Sequence, residues 1–338
     1  MSGNHGWSGG DRADDFRSSN DSHGFSSAYQ AYDSPSHTTT SPRNFTPPPS
    51  TPLLSRAFTS GASRSSSTNV DLSVTKRQKS TAKNVVIIAI DITGSMGLWR
   101  KELFDRLALF FTEAQGYLGE SLEVMFIGFD DVPQGSGIEV TPLGAGPILD
   151  TFLLSMNKNG NGYGNGIESA DLAALHVHQL LDTSDAQNVF FFTITDEGFY
   201  DLVGGNHPRS RELFSPACSI ENRPTKDIYN DLRRRMKVLT VYAKTPCESY
   251  SDEEKDRMLA QWEGALGSEH VLILHDARRV VDVMLGAIAI MNGQGARFSR
   301  ALRSRQAGTR YTEENISTVE TSLSRLRVPK TPTRARSK

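Results

Sequence analysis

The sequence predicts a doubly wound α/β fold, with a mostly parallel sheet of about six strands and helices on both faces. Apolar runs of strand length recur along the chain, beginning at residues 85–90. They lack the polar alternation of a half-exposed sheet, which indicates burial on both faces. Between them lie longer segments, such as residues 98–118, whose apolar positions repeat at helical spacing. Strands that alternate with helices of this size are typical of a parallel sheet covered on both sides.

Each element follows from composition and spacing. The predicted strands are short, apolar and rich in β-branched or aromatic residues, and they are Val85–Ile90, Leu122–Phe129, Val189–Thr195, Val238–Ala243 and Val271–Leu274. The predicted helices are Leu98–Leu118, Ile167–Leu181, Thr225–Arg235, Asp252–Leu266 and Ala277–Met291. A short strand near Ile138–Thr141 follows a turn-rich segment, and we expect it to form an antiparallel edge. A doubly wound sheet places ligand sites at the carboxyl ends of its strands.

Composition and charge divide the chain into three parts. Residues 1–82 are rich in Ser, Thr, Pro and Gly, and residues 296–338 are basic. We expect both to be largely disordered tails, because neither holds enough apolar residues to offset the entropy of ordering. Residues 83–295 are predicted to form the single folded domain. Residues 84–295 hold 17 basic and 30 acidic residues, against 11 basic and 3 acidic in residues 296–338. An acidic domain disfavours nucleic-acid binding, whereas RNA, anionic lipid or the acidic domain itself are candidate contacts of the basic tail.

The cysteines and the amino-terminal sequence bear on the compartment. Cys218 and Cys247 are too few for a disulfide framework or a zinc site. The first residues show no basic-then-apolar signal, and no apolar stretch is long enough to span a membrane. The sequence therefore predicts an intracellular protein, cytoplasmic or nuclear.

Polar residues follow two of the predicted strands. Asp91, Thr93 and Ser95 are spaced by two, directly after the first strand and before a helix. Asp196 stands at the end of the strand Val189–Thr195. Hydroxyl and carboxylate oxygens are hard donors that suit Mg²⁺ or Mn²⁺. The glycine-dense residues 159–166 between them lack the G-x-G-x-x-G spacing and do not follow a strand, so a dinucleotide site is not expected.

This pattern resembles the metal-ion-dependent adhesion site, or MIDAS, of von Willebrand factor A (vWA) domains, whose fold is Rossmann-like. A strand ending in Asp-x-Thr-Gly-Ser-Met, a Gly-rich loop and a strand ending in Thr-Asp-x-Gly span the predicted domain. Asp91, Thr93 and Ser95 correspond to the D-x-S-x-S motif of the family, and Asp196 to the Asp of its third loop. The second loop lacks the family's Thr. It is similar instead to the integrin β-subunit type, in which Glu168 would bind the metal directly.

The resemblance implies a ligand set and a function. Ser95, Thr93 and Glu168 would ligate Mg²⁺ or Mn²⁺, while Asp91 and Asp196 would hold ligated waters. A carboxylate of a protein partner would complete the octahedron. The resemblance therefore implies a divalent-cation-dependent protein-binding module, an intracellular scaffold or assembly factor without enzymatic activity and without an evident small-molecule substrate.

Other interpretations of the same residues stay open. A strand-end Asp91 is similar to haloacid-dehalogenase-like phosphoryl-transfer enzymes, but Thr93 stands where they need an acidic proton donor. A degenerate vWA scaffold that no longer binds metal is a further alternative. Asp91 would also suit a helix cap, Glu168 the first turn of a helix, and Asp196 a simple turn. For Asp130 and Asp131 we expect a solvated turn, with an auxiliary cation site as the alternative.

Overall fold

The computed structural model describes residues 70–156, 165–217, 220, 222–244 and 250–327. The strands of these residues are β1 (Gln78–Lys79), β2 (Asn84–Asp91), β3 (Leu122–Phe129), β4 (Ile138–Val140), β5 (Ile167–Glu168), β6 (Leu181–Asp182), β7 (Asn188–Thr195), β8 (Gly198–Phe199), β9 (Lys237–Ala243) and β10 (Val271–Leu274). The helices are α1 (Gly97–Asp105), α2 (Leu107–Leu118), α3 (Ile148–Ser155), α4 (Ala170–Leu180), α5 (Pro208–Phe214), α6 (Thr225–Arg233), α7 (Asp252–Leu266), α8 (Val280–Met291), α9 (Gly295–Gln306) and α10 (Thr312–Leu323).

Six strands form the central sheet, in the order β10-β9-β7-β2-β3-β4. Neighbouring strands run parallel except β3 and β4, which pair antiparallel with Phe129 opposite Ile138. β2 lies between β3 and β7, with Asp91 opposite Phe129 and Ile90 opposite Ile194. The residues that follow β2, β3 and β7 therefore start from the same edge of the sheet.

The fold class predicted from the sequence is corrected by this topology. The sequence predicts a doubly wound, mostly parallel sheet of the vWA or Rossmann-like type, whereas the structure is a mixed α/β fold with a mixed sheet. The physical reason is that an apolar run reports burial of both strand faces and does not specify the direction of every strand. The antiparallel pairing expected near Ile138–Thr141 is present in β4, which has three residues.

The central sheet lies between two apolar clusters, because successive side chains of a strand point to opposite faces. Along β2, Ile88 and Ile90 belong to one cluster, and Ile87 and Ala89 belong to the other. The first cluster includes residues of α1, α2, α3, α8, α9 and α10, and the second includes residues of α4, α6 and α7. All eight residues of β2 are buried, so this strand holds the residue at its end, Asp91, on a rigid support.

Packed residues lie on both sides of the predicted domain 83–295. The sequence assigns residues after 295 to a largely disordered tail, but residues 295–306 form α9 and residues 312–323 form α10, and Phe298 and Val319 are buried in the first cluster. Before residue 83, Val74 is buried in the second cluster. None of the helices in the described part of the chain has the length and apolar character that a membrane span requires.

Candidate metal site

A hydrogen-bond network centred on Asp91 organises the loop after β2. Asp91 is fully buried, and its Oδ1 accepts from the Thr93 backbone N–H at 2.8 Å and from Thr93 Oγ1 at 2.6 Å. The N-cap residue of α1 is Met96, which makes no side-chain cap bond. Asp91 therefore orders its own loop and does not cap the following helix.

The loops after β2 and β7 meet at this point. Ser95 Oγ donates to Asp196 Oδ1 at 3.2 Å and lies 3.2 Å from Thr93 Oγ1. Thr195 Oγ1 donates to Asp91 Oδ2 at 3.1 Å. These contacts follow from the parallel register of β2 and β7, which brings their carboxyl ends side by side. The structure thus brings Asp91, Thr93, Ser95 and Asp196 into one network.

The carboxylates of Asp91 and Asp196 repel each other in this network. Burial raises the pKa of Asp91 well above its usual value, and the negative charge of Asp196 raises it further, while hydrogen bonds from Thr93 act in the opposite direction. Arg100 is half-buried and donates to the Ile92 carbonyl at 2.8 Å. Burial lowers the pKa of Arg100, and the nearby charge of Asp91 partly offsets that effect. A cation placed in this network would relieve the repulsion between its carboxylates.

Glu168 carries a buried carboxyl group whose charged form is strongly disfavoured. Its side chain is fully buried, and neither oxygen has a hydrogen-bond partner among the described residues. Burial raises the pKa of Glu168 to about 12, and the negative charges of Asp91, Glu197, Asp130 and Asp131 raise it in the same direction. A buried polar group without a partner is unfavourable, and none of the described residues supplies a hydrogen-bond partner for Glu168.

The backbone holds Glu168 outside a helix. Glu168 belongs to β5 and lies opposite Phe199 of β8, and α4 begins two residues later at Ala170. The helix-first-turn interpretation of Glu168 is therefore wrong. Residues 157–164 of the preceding loop are not among the described residues.

The pair Asp130 and Asp131 is buried, so the predicted solvated turn is wrong. Asp131 accepts from the Tyr200 hydroxyl at 2.7 Å and from Asn165 Nδ2 at 2.6 Å. Asn165 is three residues before Glu168, so its hydrogen bond links Asp131 to the backbone that leads to Glu168. The position after an apolar strand was the sequence signal for the pair, but the partner Tyr200 is 69 residues away from Asp131 in the chain.

Sequence reasoning also missed Glu197 and Tyr250. The Tyr250 hydroxyl donates to Glu197 Oε1 at 2.8 Å and accepts from the Gly166 backbone N–H at 3.0 Å. Burial raises the pKa of Glu197 to about 7, and the hydrogen bond from Tyr250 lowers it. Tyr250 therefore ties the loop after β7 to the backbone before Glu168, a link that the spacing of the residues did not indicate.

The donors that meet here are two hydroxyls and two carboxylates. In the described ranges, no group of three or more His, Cys, Asp or Glu side chains is arranged to hold a metal ion. The hydroxyls of Thr93 and Ser95 supply the remaining oxygens, which are hard donors suited to Mg²⁺ or Mn²⁺. Gly94 and Ser95 are exposed while Thr93 is buried, so the network opens to solvent at Ser95.

Comparison with known proteins gives no family. No family model matches the chain, and no curated protein matches it. Among solved structures, the pilus adhesin SpaC from Lactobacillus rhamnosus GG in its open conformation is 16% identical with a TM-score of 0.43, covering 66% of this chain and 31% of that chain. Another form of the same adhesin is 17% identical, also with a TM-score of 0.43, and covers 66% and 31%. The PilB minor pilin from Streptococcus sanguinis is 12% identical with a TM-score of 0.37, covering 63% of this chain and 61% of that chain. The chain thus spans less than two thirds of each of these proteins.

These findings correct several expectations from the sequence. No family model and no curated protein supports the resemblance to vWA domains. The vWA and MIDAS assignment is therefore withdrawn. The function of an intracellular scaffold or assembly factor, and the cytoplasmic or nuclear location, are withdrawn with it. A short loop motif next to an apolar strand arises in many α/β proteins, so the motif alone did not identify the family.

Proposed function

We propose that the network at the carboxyl ends of β2 and β7 binds one Mg²⁺ or Mn²⁺ ion, and that the bound ion recruits a carboxylate of a protein partner. In this proposal Thr93, Ser95 and Glu168 ligate the ion, and Asp91 and Asp196 hold ligated waters. The observation that carries the proposal is the buried carboxylate of Glu168, whose two oxygens have no hydrogen-bond partner in the described part of the chain.

A cation accounts for Glu168 better than protonation does. A protonated Glu168 would remove the repulsion from Asp91 and Glu197, but its hydroxyl would still have no acceptor among the described residues. A divalent ion would satisfy an ionised Glu168 and would also reduce the repulsion between Asp91 and Asp196.

Binding is favoured over catalysis by the chemistry of the donors. The hydroxyl ligands are neutral, so they leave part of the ion's charge available to an anionic group that approaches from solvent at Ser95. Thr93 occupies the place where a haloacid-dehalogenase-like enzyme would need an acidic proton donor. The 17 basic and 30 acidic residues of positions 84–295 favour a carboxylate held by the ion over a polyanion such as nucleic acid.

The proposal is tested by calorimetric titration of the full chain with Mn²⁺ and with Mg²⁺. We expect saturable heat at a ratio of one ion per chain, at least tenfold weaker in Glu168→Ala and in Asp196→Asn. Glu120→Ala, which changes an exposed acidic residue, is the control and keeps wild-type affinity. Absence of metal-dependent heat, or equal affinity in Glu168→Ala, would overturn the proposal.

A second experiment separates binding from catalysis. We expect no hydrolysis of a generic aryl phosphate by the full chain with Mg²⁺ or Mn²⁺ present. Hydrolysis that disappears in Asp91→Asn would instead establish a phosphoryl-transfer activity, since Asp91 would then act on the substrate.

A further inference from the structure

A cleft of about 400 Å³ lies between three segments of the described chain. One segment follows β8, the second leads into α6, and the third belongs to the carboxyl-terminal half of α7. None of the five residues proposed for the ion lines this cleft. Its volume is in the range of small-molecule sites, so the cleft is large enough for a small ligand.

Hydrogen bonds hold the walls of the cleft in place. The Gln261 side chain of α7 accepts from the Phe199 backbone N–H at 3.0 Å and donates to the Phe199 carbonyl at 2.7 Å. The same amide group donates to Asp201 Oδ1 at 2.9 Å. On the other side, the Thr225 backbone N–H of α6 donates to the Asp201 carbonyl at 2.8 Å. The segment after β8 is therefore fixed to both helices, which gives the cleft a defined shape.

Apolar side chains line part of the cleft. Leu202 and Pro224 are paired in an antiparallel bridge, and both line the cleft. Ala265 adds a small apolar side chain from α7. Leu202 is 38% exposed, so an apolar group that covers it removes apolar surface from water, which is favourable.

The cleft is open at Gly264 because this residue has no side chain. Gly264 lies in the last turn of α7. A Cβ added there would meet no atom of the described residues within 4 Å, and the φ of Gly264 is outside the left-handed region. Glycine is less favourable than alanine in a helix. Neither packing nor backbone conformation therefore accounts for this glycine, whereas access to the cleft does.

One carboxylate and one ammonium group also line the cleft. Asp201 and Lys226 are both exposed, and neither forms an ion pair with a described residue. A ligand with both an ammonium and a carboxylate group would satisfy the two charges together. A purely anionic or purely cationic ligand would instead be repelled by one of them.

We propose that this cleft binds a small zwitterion with a large apolar side chain, either a free amino acid or a dipeptide. The ammonium group of the ligand pairs with Asp201 and its carboxylate pairs with Lys226. Its apolar side chain covers Leu202 and occupies the space that Gly264 leaves open. This site requires no metal ion and is independent of the proposed function.

The first experiment is a saturation-transfer NMR titration of the full chain in EDTA, which prevents any binding of the ligand carboxylate through a metal ion. L-leucine and L-leucyl-L-leucine represent the two sources, and we expect saturable binding of at least one of them. The tighter of the two identifies the source. The corresponding glycine compound, which has no apolar side chain, should bind at least about tenfold more weakly.

Blocked forms of the tighter ligand test the two charges. Its N-acetyl form lacks the ammonium group, and its amide lacks the carboxylate. We expect each loss to weaken binding by about two- to fivefold, the range of an exposed ion pair. Saturable binding of neither leucine compound, or equal binding of the charged and blocked forms, would overturn the proposal.

A bulky side chain at Gly264 tests the location of the ligand. We expect Gly264→Leu to weaken binding at least about tenfold, because the new side chain fills the space that the ligand needs. Ala260→Leu on the same helix is the matched control, since Ala260 is exposed and does not line the cleft, and this variant keeps wild-type affinity. Wild-type affinity in Gly264→Leu would overturn the proposal.

Charge variants assign each pair of groups. Asp201→Asn should weaken the tighter ligand by about two- to fivefold and leave its N-acetyl form unchanged. Lys226→Gln should weaken the same ligand to a similar extent and leave its amide unchanged. Lys83→Gln, which changes an exposed lysine outside the cleft, is the control and keeps wild-type affinity. Equal losses for the charged and blocked forms in either cleft variant would contradict the proposed pairing.

Discussion

Arg106, between α1 and α2, forms a close ion pair with Asp282 of α8, in which Arg106 Nη2 is 3.2 Å from both carboxylate oxygens of Asp282. Asp282 is fully buried in α8. Arg279 Nη1 and Arg305 Nη2 each lie 3.3 Å from the same carboxylate. One buried negative charge therefore holds three arginines, from the α1–α2 junction, the start of α8 and α9.

Replacing Asp282 removes the charge that compensates these arginines. We expect Asp282→Asn to lower the free energy of unfolding by about 3–5 kcal/mol, because it removes the ion pairs of Arg106 and Arg279, while Arg305 keeps its ion pair with Glu113. Urea denaturation at pH 7 measures the change. Asp105→Asn, which breaks the more exposed pair with Lys101, is the control and costs less than about 1 kcal/mol. Equal losses in the two variants would contradict a special role for Asp282.

The break between α1 and α2 at Arg106 is a feature that the sequence did not predict. The apolar spacing predicts one helix over residues 98–118, and the structure divides it at Arg106, which has φ −111° and ψ 14°. Helix breaks commonly occur at Pro or Gly, and neither is present at this position. The contact of Arg106 with Asp282 joins residues 176 apart, which periodicity within one helix does not reveal.

The strands were the more predictable part of the fold. All five predicted apolar runs are strands of the central sheet, because a run of β-branched residues is a local signal of burial. The class built from them was wrong, since strand direction and connection depend on contacts between distant segments. The same limit applies at the site. Asp91 ends β2, and Ser95 and Asp196 follow strand ends, so these residues were identifiable, whereas the contact between Tyr250 and Glu197 was not.

Burial of the Glu168 carboxyl group should destabilise the protein at neutral pH when no metal is present. With EDTA at pH 7 we expect Glu168→Gln to raise the free energy of unfolding by up to about 3 kcal/mol, since keeping an ordinary carboxyl protonated costs about 1.4 kcal/mol per pH unit. The pKa of Glu168 is raised from 4.5 to about 12 in the folded protein. The stabilising contribution of the protonated Glu168 carboxyl to the free energy of unfolding is therefore present below pH 4.5 and is lost as the pH rises toward 12.

Chemical denaturation in EDTA at pH 4 and at pH 7 tests this sign. The advantage of Glu168→Gln over wild type should shrink toward zero at pH 4. Glu120→Gln, at an exposed position, controls for the loss of one negative charge and should change stability little at either pH. A Glu168→Gln variant that is less stable than wild type in EDTA would contradict the unfavourable burial of this carboxylate.

His176 gives the domain an opposite dependence on pH. The side chain is fully buried in α4, its Nδ1 lies 2.7 Å from the Val74 carbonyl, and its Nε2 has no partner among the described residues. Burial lowers the pKa of His176 from 6.5 to about 4. Between these values the unfolded chain binds a proton that the native state does not, so stability falls as the pH falls from 6.5 to 4.

The contribution of His176 is isolated by comparison with His176→Gln. The difference in unfolding free energy between wild type and variant should decrease by up to about 3 kcal/mol from pH 7 to pH 4, at about 1.4 kcal/mol per unit of pKa shift. Taking this difference removes the opposing effect of the acidic site, which both proteins share. A difference that stays constant with pH would show that His176 is not buried in its neutral form.

The close packing of α8 against α10 makes the two helices energetically dependent. A Cβ at Gly286 would overlap Leu323 Cδ1 and would lie 2.9 Å from Phe298. Replacing a helical glycine with alanine ordinarily stabilises a helix by about 1 kcal/mol. At Gly286 overpacking opposes that gain, and we expect Gly286→Ala to destabilise the protein by about 1–3 kcal/mol. Gly264→Ala in α7 is the matched control, because an added Cβ there meets no atom of the described residues within 4 Å, and this variant should be more stable than wild type.

A double-mutant cycle assigns the Gly286 effect to the contact with α10. Leu323→Ala removes the side chain that the new methyl group would meet, so adding Gly286→Ala to it should cost less than adding Gly286→Ala to wild type. Urea denaturation of the four proteins gives the coupling free energy, which we expect to be about 1 kcal/mol or more. Additive effects would mean that α10 does not rest on α8 at this glycine. Coupling of this size would instead make residues 295–323 part of the cooperative folding unit, because a helix that packed only transiently would not resist a single methyl group.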